Sequence, residues 1–326
     1  MFACALWRIP WLVLAAAMVL VLASCASGRA GADRWVHPYG ATDPEAGLVW
    51  NVAEHRAASE EELLADLARA DFLLLGETHD NRDHHRLQAR ILEGLARKSG
   101  RRLVVAFEMI EADWQDAVSA QLARDPGNAA ALAEAVRWKD SGWPPFELYE
   151  PVFRAALAAG ATIVAAGLPS PRAREVSVHG VSVLPASLRE RTGLGEPMPE
   201  PLLRALEEEL YVAHCGRLAR DFVPRMVAVQ RARDAFMADR LARTTGNGLG
   251  VLVTGRGHAR LDRGVPLYLR RLAPDRRLRA VGLIEVGSLP PEARAAAPFD
   301  WLWFTPRAHP AGHDPCASLA PVERDT

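Results

Sequence analysis

Two apolar runs of strand length end in the same kind of polar turn. Phe72–Leu75 is followed by Gly76-Glu77-Thr78-His79, and Gly250–Thr254 is followed by Gly255-Arg256-Gly257-His258. Both runs are continuous rather than alternating, which is typical of strands buried on both faces of a parallel sheet. Because the carboxyl ends of parallel strands lie along one edge, the two Gly-x-x-His turns predict a single polar pocket built from both halves of the chain.

Strand-length apolar runs recur along the chain and alternate with helical patterns. Arg82–Ala96 places its leucines and isoleucine on one face, and Phe222–Ala242 shows the same period. The alternation predicts an α/β fold with a mostly parallel central sheet flanked by helices. The further predicted strands are Leu103–Phe107, Thr162–Ala166, Leu278–Val286 and Phe299–Phe304.

Two intervals are too long to be simple connections between strands. Residues 111–149 and 185–245 are rich in Ala, Leu, Glu and Arg, which favours helix. We expect them to form a helical subdomain over the carboxyl ends of the strands, within one domain that spans residues 47–306.

The N-terminus has the pattern of an export signal. A short lead with Arg8 precedes the apolar segment Ile9–Leu22, which is too short to span a bilayer comfortably, and the segment ends in Leu22-Ala23-Ser24-Cys25. This tetrapeptide resembles the lipobox of bacterial lipoproteins, which implies a signal peptide over residues 1–24 and a lipid on Cys25. The alternatives are an ordinary signal peptide with a chance cysteine, or an uncleaved anchor. Because Ala26 follows the cysteine, the resemblance implies the outer membrane, facing the periplasm or the cell surface.

The composition of the two ends, the net charge and the cysteines give further expectations about the class of protein. Residues 25–46 are expected to be a tether and residues 307–326 a disordered tail, because both are rich in Gly, Ala, Asp or Pro and lack periodicity. The formal net charge is −1, so nothing indicates nucleic-acid binding. Cys215 and Cys316 are able to pair in an oxidising compartment, but they form neither a disulfide framework nor a zinc motif.

Four polar side chains follow three predicted strands, and they are the candidates for chemistry: Glu77, His79, Glu108 and His258. One interpretation is that they satisfy one another as a structural network at the mouth of the sheet. The other is a site for a ligand or a metal. His84 and His85 fall in the first turn of the next helix, about 100° apart, so only one is expected to face the pocket and the other to lie on the surface or at the cap. Asp80 or Asn81 is the expected N-cap.

The motif Leu75-Gly76-Glu77-Thr78-His79-Asp80-Asn81, with His84-His85 and Gln88, resembles the opening motif of the ChaN-like haem-binding lipoproteins. These form the haem-uptake branch of the Tiki superfamily. The resemblance covers residues 76–266, and further blocks follow in the family's order: Trp143-Pro144, Tyr149-Glu150-Pro151, Gly167-Leu168-Pro169, His214-Cys215-Gly216, Gln230, Arg233-Asp234, Met237-Ala238, Gly255-Arg256-Gly257-His258 and Gly264-Val265-Pro266.

This resemblance implies a dimeric outer-membrane lipoprotein in haem or iron acquisition, with a tyrosine as the ligand of ferric haem and a histidine of the partner subunit near the propionates. The sequence has no Cys-x-x-Cys-His motif, so covalent attachment of the haem is excluded. Of the four tyrosines, Tyr39 lies in the tether and Tyr268 in an apolar helix. Tyr149 is slightly preferred as the iron ligand. Tyr211 stays open, since on a helix it shares a face with His214. The other candidate haem contacts are His79, His84, His85 and His258.

Two alternatives remain open at this point. A metal-dependent hydrolase would use Glu77 as general base, with His79 and His258 binding a divalent metal or polarising a carbonyl. Glu108 is a further candidate catalytic residue under this alternative. A structural lipoprotein would keep the pocket without any ligand. The glutamate and histidine cluster resembles a hydrolase mouth, and haem binding alone does not explain it.

Overall fold

A single eight-stranded sheet organises the chain, of which the computed structural model describes residues 35–217 and 219–317. The strands in chain order are β1 (Val49–Asn51), β2 (Arg56–Ala58), β3 (Phe72–Glu77), β4 (Leu103–Glu111), β5 (Thr162–Gly167), β6 (Leu249–Gly255), β7 (Leu278–Glu285) and β8 (Trp301–Thr305). Their order across the sheet is β2-β1-β8-β7-β3-β6-β4-β5. The six strands from β8 to β5 in this order are parallel to one another, whereas β1 pairs antiparallel with β2 and β8.

The predicted α/β fold with a mostly parallel sheet is confirmed, and all six predicted strands are present. The antiparallel pair of β1 and β2 was not predicted, because strands of three residues are too short to carry a periodic pattern. The pair lies beyond β8, at the edge of the sheet farthest from β5.

Helices cover both faces of the sheet. They are α1 (Glu60–Leu67), α2 (Arg82–Lys98), α3 (Gln115–Arg124), α4 (Ala129–Ala135), α5 (Phe146–Ala158), α6 (Ser170–His179), α7 (Ala186–Thr192), α8 (Glu200–Ala213), α9 (Val223–Thr245) and α10 (Val265–Leu272). Helices α1 to α5 share one apolar core with the sheet, and α6, α7, α9 and α10 share the other. Helix α8 packs against α9 and contributes a residue to neither core.

Alternation along the strands determines which face each polar residue reaches. Leu73 and Leu75 of β3 lie in the core under α1 to α5, whereas Ala106 of β4 lies in the opposite core. Since successive side chains point to opposite faces, Glu77 continues the row of Leu75 and Glu108 continues the row of Ala106. Glu77 and Glu108 therefore lie towards the carboxyl ends of their strands, on opposite faces of the sheet.

The intervals 111–149 and 185–245 are largely helical. Helix α5 packs on α2, and α9 packs on α7, α10 and the strands β4 to β6, so both belong to the layers of the sandwich. Nearer the carboxyl ends lie Trp143, whose ring contacts His79, and α8, whose Glu209 pairs with Arg263 beyond β6.

The two ends of the described chain are attached to the domain. The backbone N–H groups of Val36 and His37 donate to the carboxylate of Asp83, and Tyr39 forms a β-bridge with Arg307. Residues 35–46 and 307–317 therefore differ from the expected free tether and disordered tail, because these contacts hold them on the domain. The predicted signal peptide, Cys25 and the tether up to residue 34 lie outside the described residues, as does the tail beyond residue 317.

Cys215 and Cys316 form a disulfide that spans 101 residues of sequence. The bond joins the turn after α8 to the segment that follows β8. Among the described residues, no helix has the length and apolar character needed to cross a bilayer.

Candidate functional site

One buried group of polar side chains surrounds the end of β3, and we call it the Glu77 cluster: Glu77, His79, His85 and Tyr149. Glu77 Oε1 accepts hydrogen bonds from the Tyr149 hydroxyl at 3.0 Å and from His79 Nδ1 at 3.0 Å. Its Oε2 lies 3.1 Å from His85 Nε2. The side chains of Glu77 and His85 are completely buried, whereas His79 reaches the surface.

Glu77 is ionised although it is buried. Burial by itself would raise the pKa of Glu77, but His85 and His79 outweigh it and lower that pKa to about 2. Burial and the negative charge of Glu77 raise the pKa of the Tyr149 hydroxyl well above its usual range. Tyr149 is therefore a neutral hydrogen-bond donor to an ionised carboxylate.

A second buried group lies on the other face, and we call it the Glu108 cluster: Glu108, Asp234, Thr254 and His258. His258 donates from Nδ1 to Asp234 Oδ1 at 2.6 Å and lies 3.3 Å through Nε2 from Glu108 Oε1. Glu108 Oε2 accepts from the Thr254 hydroxyl at 2.6 Å and from the Gly255 backbone N–H at 2.9 Å. Both carboxylates and the imidazole are buried.

His258 carries a positive charge between two carboxylates. Burial opposes that charge, but Glu108 and Asp234 outweigh it and raise the pKa of His258 to about 10. Burial also acts against the charge on Glu108, yet His258 and His79 lower the pKa of that carboxyl well below its usual range. For Asp234 burial is the largest effect, and it raises the pKa although His258 opposes it.

The two Gly-x-x-His turns lie side by side at one edge, as their sequences predict. Glu77 pairs with Gly255 in the register of β3 and β6. His79 covers Gly255 so closely that a Cβ at this glycine would lie 2.8 Å from His79 Nε2 and 3.8 Å from Glu108 Oε2. A glycine is therefore needed at position 255, and His79 is the side chain that connects the two clusters.

One of the two histidines was expected on the surface or at the cap, and the surface alternative is wrong, because both His84 and His85 are buried. His85 packs on Tyr149 with ring centroids 4.0 Å apart, because α5 covers the first turn of α2. His84 Nδ1 accepts from the backbone N–H of Thr78 at 2.9 Å, and burial lowers the pKa of His84 well below its usual range. The N-cap of α2 is Asn81.

The two candidate tyrosines have opposite environments. Tyr149 is 0% exposed, whereas Tyr211 is half-buried near the end of α8. The guanidinium of Arg220 lies 3.5 Å from the centroid of the Tyr211 ring. His214 follows α8 directly, and its Nδ1 donates to the Leu210 carbonyl at 2.7 Å. Tyr268 is buried in α10 and accepts a hydrogen bond from Arg231 at 3.4 Å.

Asp234 is a member of the site that the sequence analysis did not identify as functional. It lies in the middle of α9, 24 residues before His258, and no local motif links the two. The available signal was the family block Arg233-Asp234, which places an acid on the mostly apolar, buried face of the helix.

The donor atoms do not converge on a metal position. Within residues 35–217 and 219–317, no group of three or more His, Cys, Asp or Glu side chains is arranged to hold a metal ion. Glu77 and Glu108 are committed to histidines and backbone groups of the protein itself. The arrangement fits two proton-sharing networks, and the metal-dependent alternative is not supported.

The fold and the site together define a class of protein. It is a parallel α/β sandwich with paired carboxylate–histidine networks at the carboxyl ends of its central strands. The family model described as haem-binding uptake, Tiki superfamily, ChaN matches residues 63–269, and the chain belongs to this family. A search of curated proteins gives no match.

Three solved structures are similar to this chain. ChaN of Campylobacter jejuni, described with cofacial haem binding, has a TM-score of 0.66 and 20% identity, over 80% of this chain and 97% of that chain. The type III effector HopBA1 gives a TM-score of 0.44 at 12% identity, over 81% of this chain and 99% of that one. An erythromycin esterase gives 0.42 at 16% identity, over 74% and 77%.

Proposed function

We propose that this haem-binding family member binds ferric haem at the surface of α8, with Tyr211 as the iron ligand and His214 beside it. The observation that carries the proposal is the difference in exposure between the two candidate tyrosines. The Tyr149 hydroxyl is buried and donates to Glu77, so iron would reach it only if the hydrogen bonds of the Glu77 cluster were broken. Tyr211 lies half-buried on an outer helix that belongs to neither core.

The surface of α8 suits a flat apolar ligand. Its sequence is rich in leucine, yet Leu206 is its only fully buried residue, and Val212 is 62% exposed. Leu202, Leu203 and Leu210 are half-buried, and apolar side chains left partly uncovered in one chain favour contact with a ligand or a second copy. We infer that the haem and a symmetry-related α8 of a homodimer cover this surface together.

A tyrosine suits the iron chemistry of capture and transfer. The haem would supply a ferric centre, and a phenolate oxygen is a hard anionic ligand that favours this oxidation state. Arg220 lies over the Tyr211 ring and is paired with Glu208 at 2.8 Å, so a haem propionate near Tyr211 would compete with Glu208 for this guanidinium. His214 is held by its bond to Leu210, which leaves Nε2 directed away from its own helix.

Replacing Tyr211 with phenylalanine is expected to remove the phenolate-type absorption of the ferric haem complex and to weaken haem binding at least tenfold, about 1.4 kcal/mol. Tyr149→Phe should keep the spectrum, because its hydroxyl serves Glu77. Tyr39→Phe removes an exposed tyrosine and is the matched control. Titration with haem, followed by absorption spectra and sedimentation, measures ligation and dimer formation together. A normal spectrum in Tyr211→Phe would contradict the proposal.

We also propose that a lipid on Cys25 anchors the protein in the outer membrane, where it serves haem or iron acquisition. The lipobox-like Leu22-Ala23-Ser24-Cys25 supports this location. Cys25→Ser is expected to abolish incorporation of labelled palmitate and to release the protein from the membrane fraction. Ser24→Ala keeps a small residue before the cysteine and should label normally. Membrane separation by density would assign the protein to the outer or inner membrane, and equal labelling of Cys25→Ser would refute the anchor.

A further inference from the structure

A cavity of about 220 Å³ lies beside the Glu108 cluster, at the carboxyl ends of β4 and β5. Trp143, Leu168 and Met237 give it apolar walls, while Glu108, Glu111 and Arg233 are the charged residues that line it. In open parallel sheets this position, outside the strand ends, is where ligands bind. The cavity is too small for haem, since pockets for drug-sized ligands begin at about 300 Å³.

Arg233 is a charged residue of this cavity whose guanidinium has no acidic partner in the described part of the chain. Its guanidinium is half-buried and forms no ion pair or hydrogen bond with any residue in the described part of the chain. Other arginines of α9 are engaged: Arg231 donates to the Leu194 carbonyl, and Arg240 donates to the Ala165 carbonyl. Arg233 and Met237 are four residues apart on α9, so they line the same side of the cavity.

The acidic residues of the cavity already have partners. Both oxygens of Glu108 are used by His258, Thr254 and Gly255. Glu111 accepts hydrogen bonds from the backbone and hydroxyl of Ser170 at the start of α6. Neither carboxylate neutralises Arg233, because no contact between them is present.

The wall residue Trp143 also contacts a histidine of the Glu77 cluster. The ring of His79 packs edge-on against Trp143, with centroids 4.9 Å apart. Its Nδ1 is bound to Glu77, whereas its Nε2 has no hydrogen-bond partner among residues 35–217 and 219–317. Trp143 therefore contacts both the cavity and His79.

We propose that this cavity binds a small organic monocarboxylate, with the carboxylate paired to Arg233 and the apolar body of the ligand against Trp143. A guanidinium recognises a carboxylate through two parallel hydrogen bonds, and a partly desolvated guanidinium gains more from them than an exposed one. A monoanion fits better than a phosphate dianion, because Glu108 and Glu111 line the same space. This site is separate from the proposed haem surface on α8 and does not depend on it.

Calorimetric titration of the haem-free full chain tests the site, with benzoate as the probe and benzamide as its neutral match. Benzoate should bind at least tenfold more tightly than benzamide. Arg233→Gln should weaken benzoate about ten- to hundredfold, the value of one charge-assisted pair. Arg243→Gln, an exposed position on the same helix, should bind benzoate as the wild type does. Circular dichroism checks that each variant is folded.

Four results would overturn the proposal. If benzoate does not bind the wild type, or binds Arg233→Gln and the wild type equally well, the Arg233 guanidinium is not its partner. If benzamide binds as tightly as benzoate, the cavity has no preference for an anion. Loss of benzoate binding after haem is added would assign Arg233 to a haem propionate instead of a free acid. Unchanged benzoate binding by Tyr211→Phe would show that the two sites are independent, whatever the outcome for haem.

Discussion

Replacing Glu108 with alanine is expected to lower the free energy of unfolding by about 3–5 kcal/mol, the usual cost of removing one partner from a buried ion pair. The substitution leaves the buried, positively charged His258 with Asp234 alone. It also removes the acceptor of the Thr254 hydroxyl and of the Gly255 backbone N–H. Unpaired buried donors add to the loss, because they give up water without gaining a partner.

Urea unfolding measures this effect, and Glu134→Ala is its matched control. Glu134 is exposed on α4 and is not part of either cluster, so its replacement should change the free energy of unfolding by less than about 0.5 kcal/mol. Glu108→Gln keeps an acceptor and should be less harmful than Glu108→Ala. Equal stability of Glu108→Ala and Glu134→Ala would show that the Glu108 cluster contributes nothing to the fold.

The stability of the protein is expected to fall as the pH rises from about 7 to 9, and His258 is the reason. An unfolded histidine has a pKa of about 6.5, whereas in the fold Glu108 and Asp234 overcome the effect of burial and raise the pKa of His258 to about 10. Below about pH 6.5 both states bind the proton, and the stabilisation is complete. Above it the unfolded state loses the proton first, so stability declines until the folded pKa is passed.

Each proton retained only by the fold contributes a slope of about 1.4 kcal/mol per pH unit. His258→Gln should be less stable at pH 7 and should show a slope smaller by about that amount. His79 acts in the same direction, because its pKa is raised by Glu77 and Glu108 against the effect of burial, so part of the slope remains. His179→Gln, at an exposed position of α6, should keep the full slope. Urea unfolding at pH 7, 8 and 9 distinguishes these variants, and an unchanged slope in His258→Gln would be inconsistent with a charged, buried imidazole.

The sheet could be predicted because its strands are buried on both faces. Such strands appear as continuous apolar runs, and all six of them were identified within a few residues of their observed bounds. β1 and β2 contain three residues each, and β1 joins the sheet by pairing with β8, which lies about 250 residues further along the chain. Local sequence carries no information about that contact.

The candidate site was predictable only in part. The polar residues at strand ends were identified, since strand direction alone places them at one edge. The burial of both His84 and His85 was not, because it depends on α5 and Tyr149 closing over the first turn of α2. Asp234 and the burial of Tyr149 were missed for the same reason: helix packing, rather than helical period, decides which side chains are covered.

The position of β3 has a consequence for how the chain reaches its fold. Its neighbours on both sides, β6 and β7, come much later in the sequence: Phe72 pairs with Gly250 and with Leu278. The centre of the sheet therefore consists of contacts of high sequence separation, which form slowly because long loops must close first. A nascent chain that ends before β6 carries β3 with both edges unpaired and apolar. Such an intermediate is prone to aggregate, so the first half of this protein depends on being kept apart from other chains until the second half arrives.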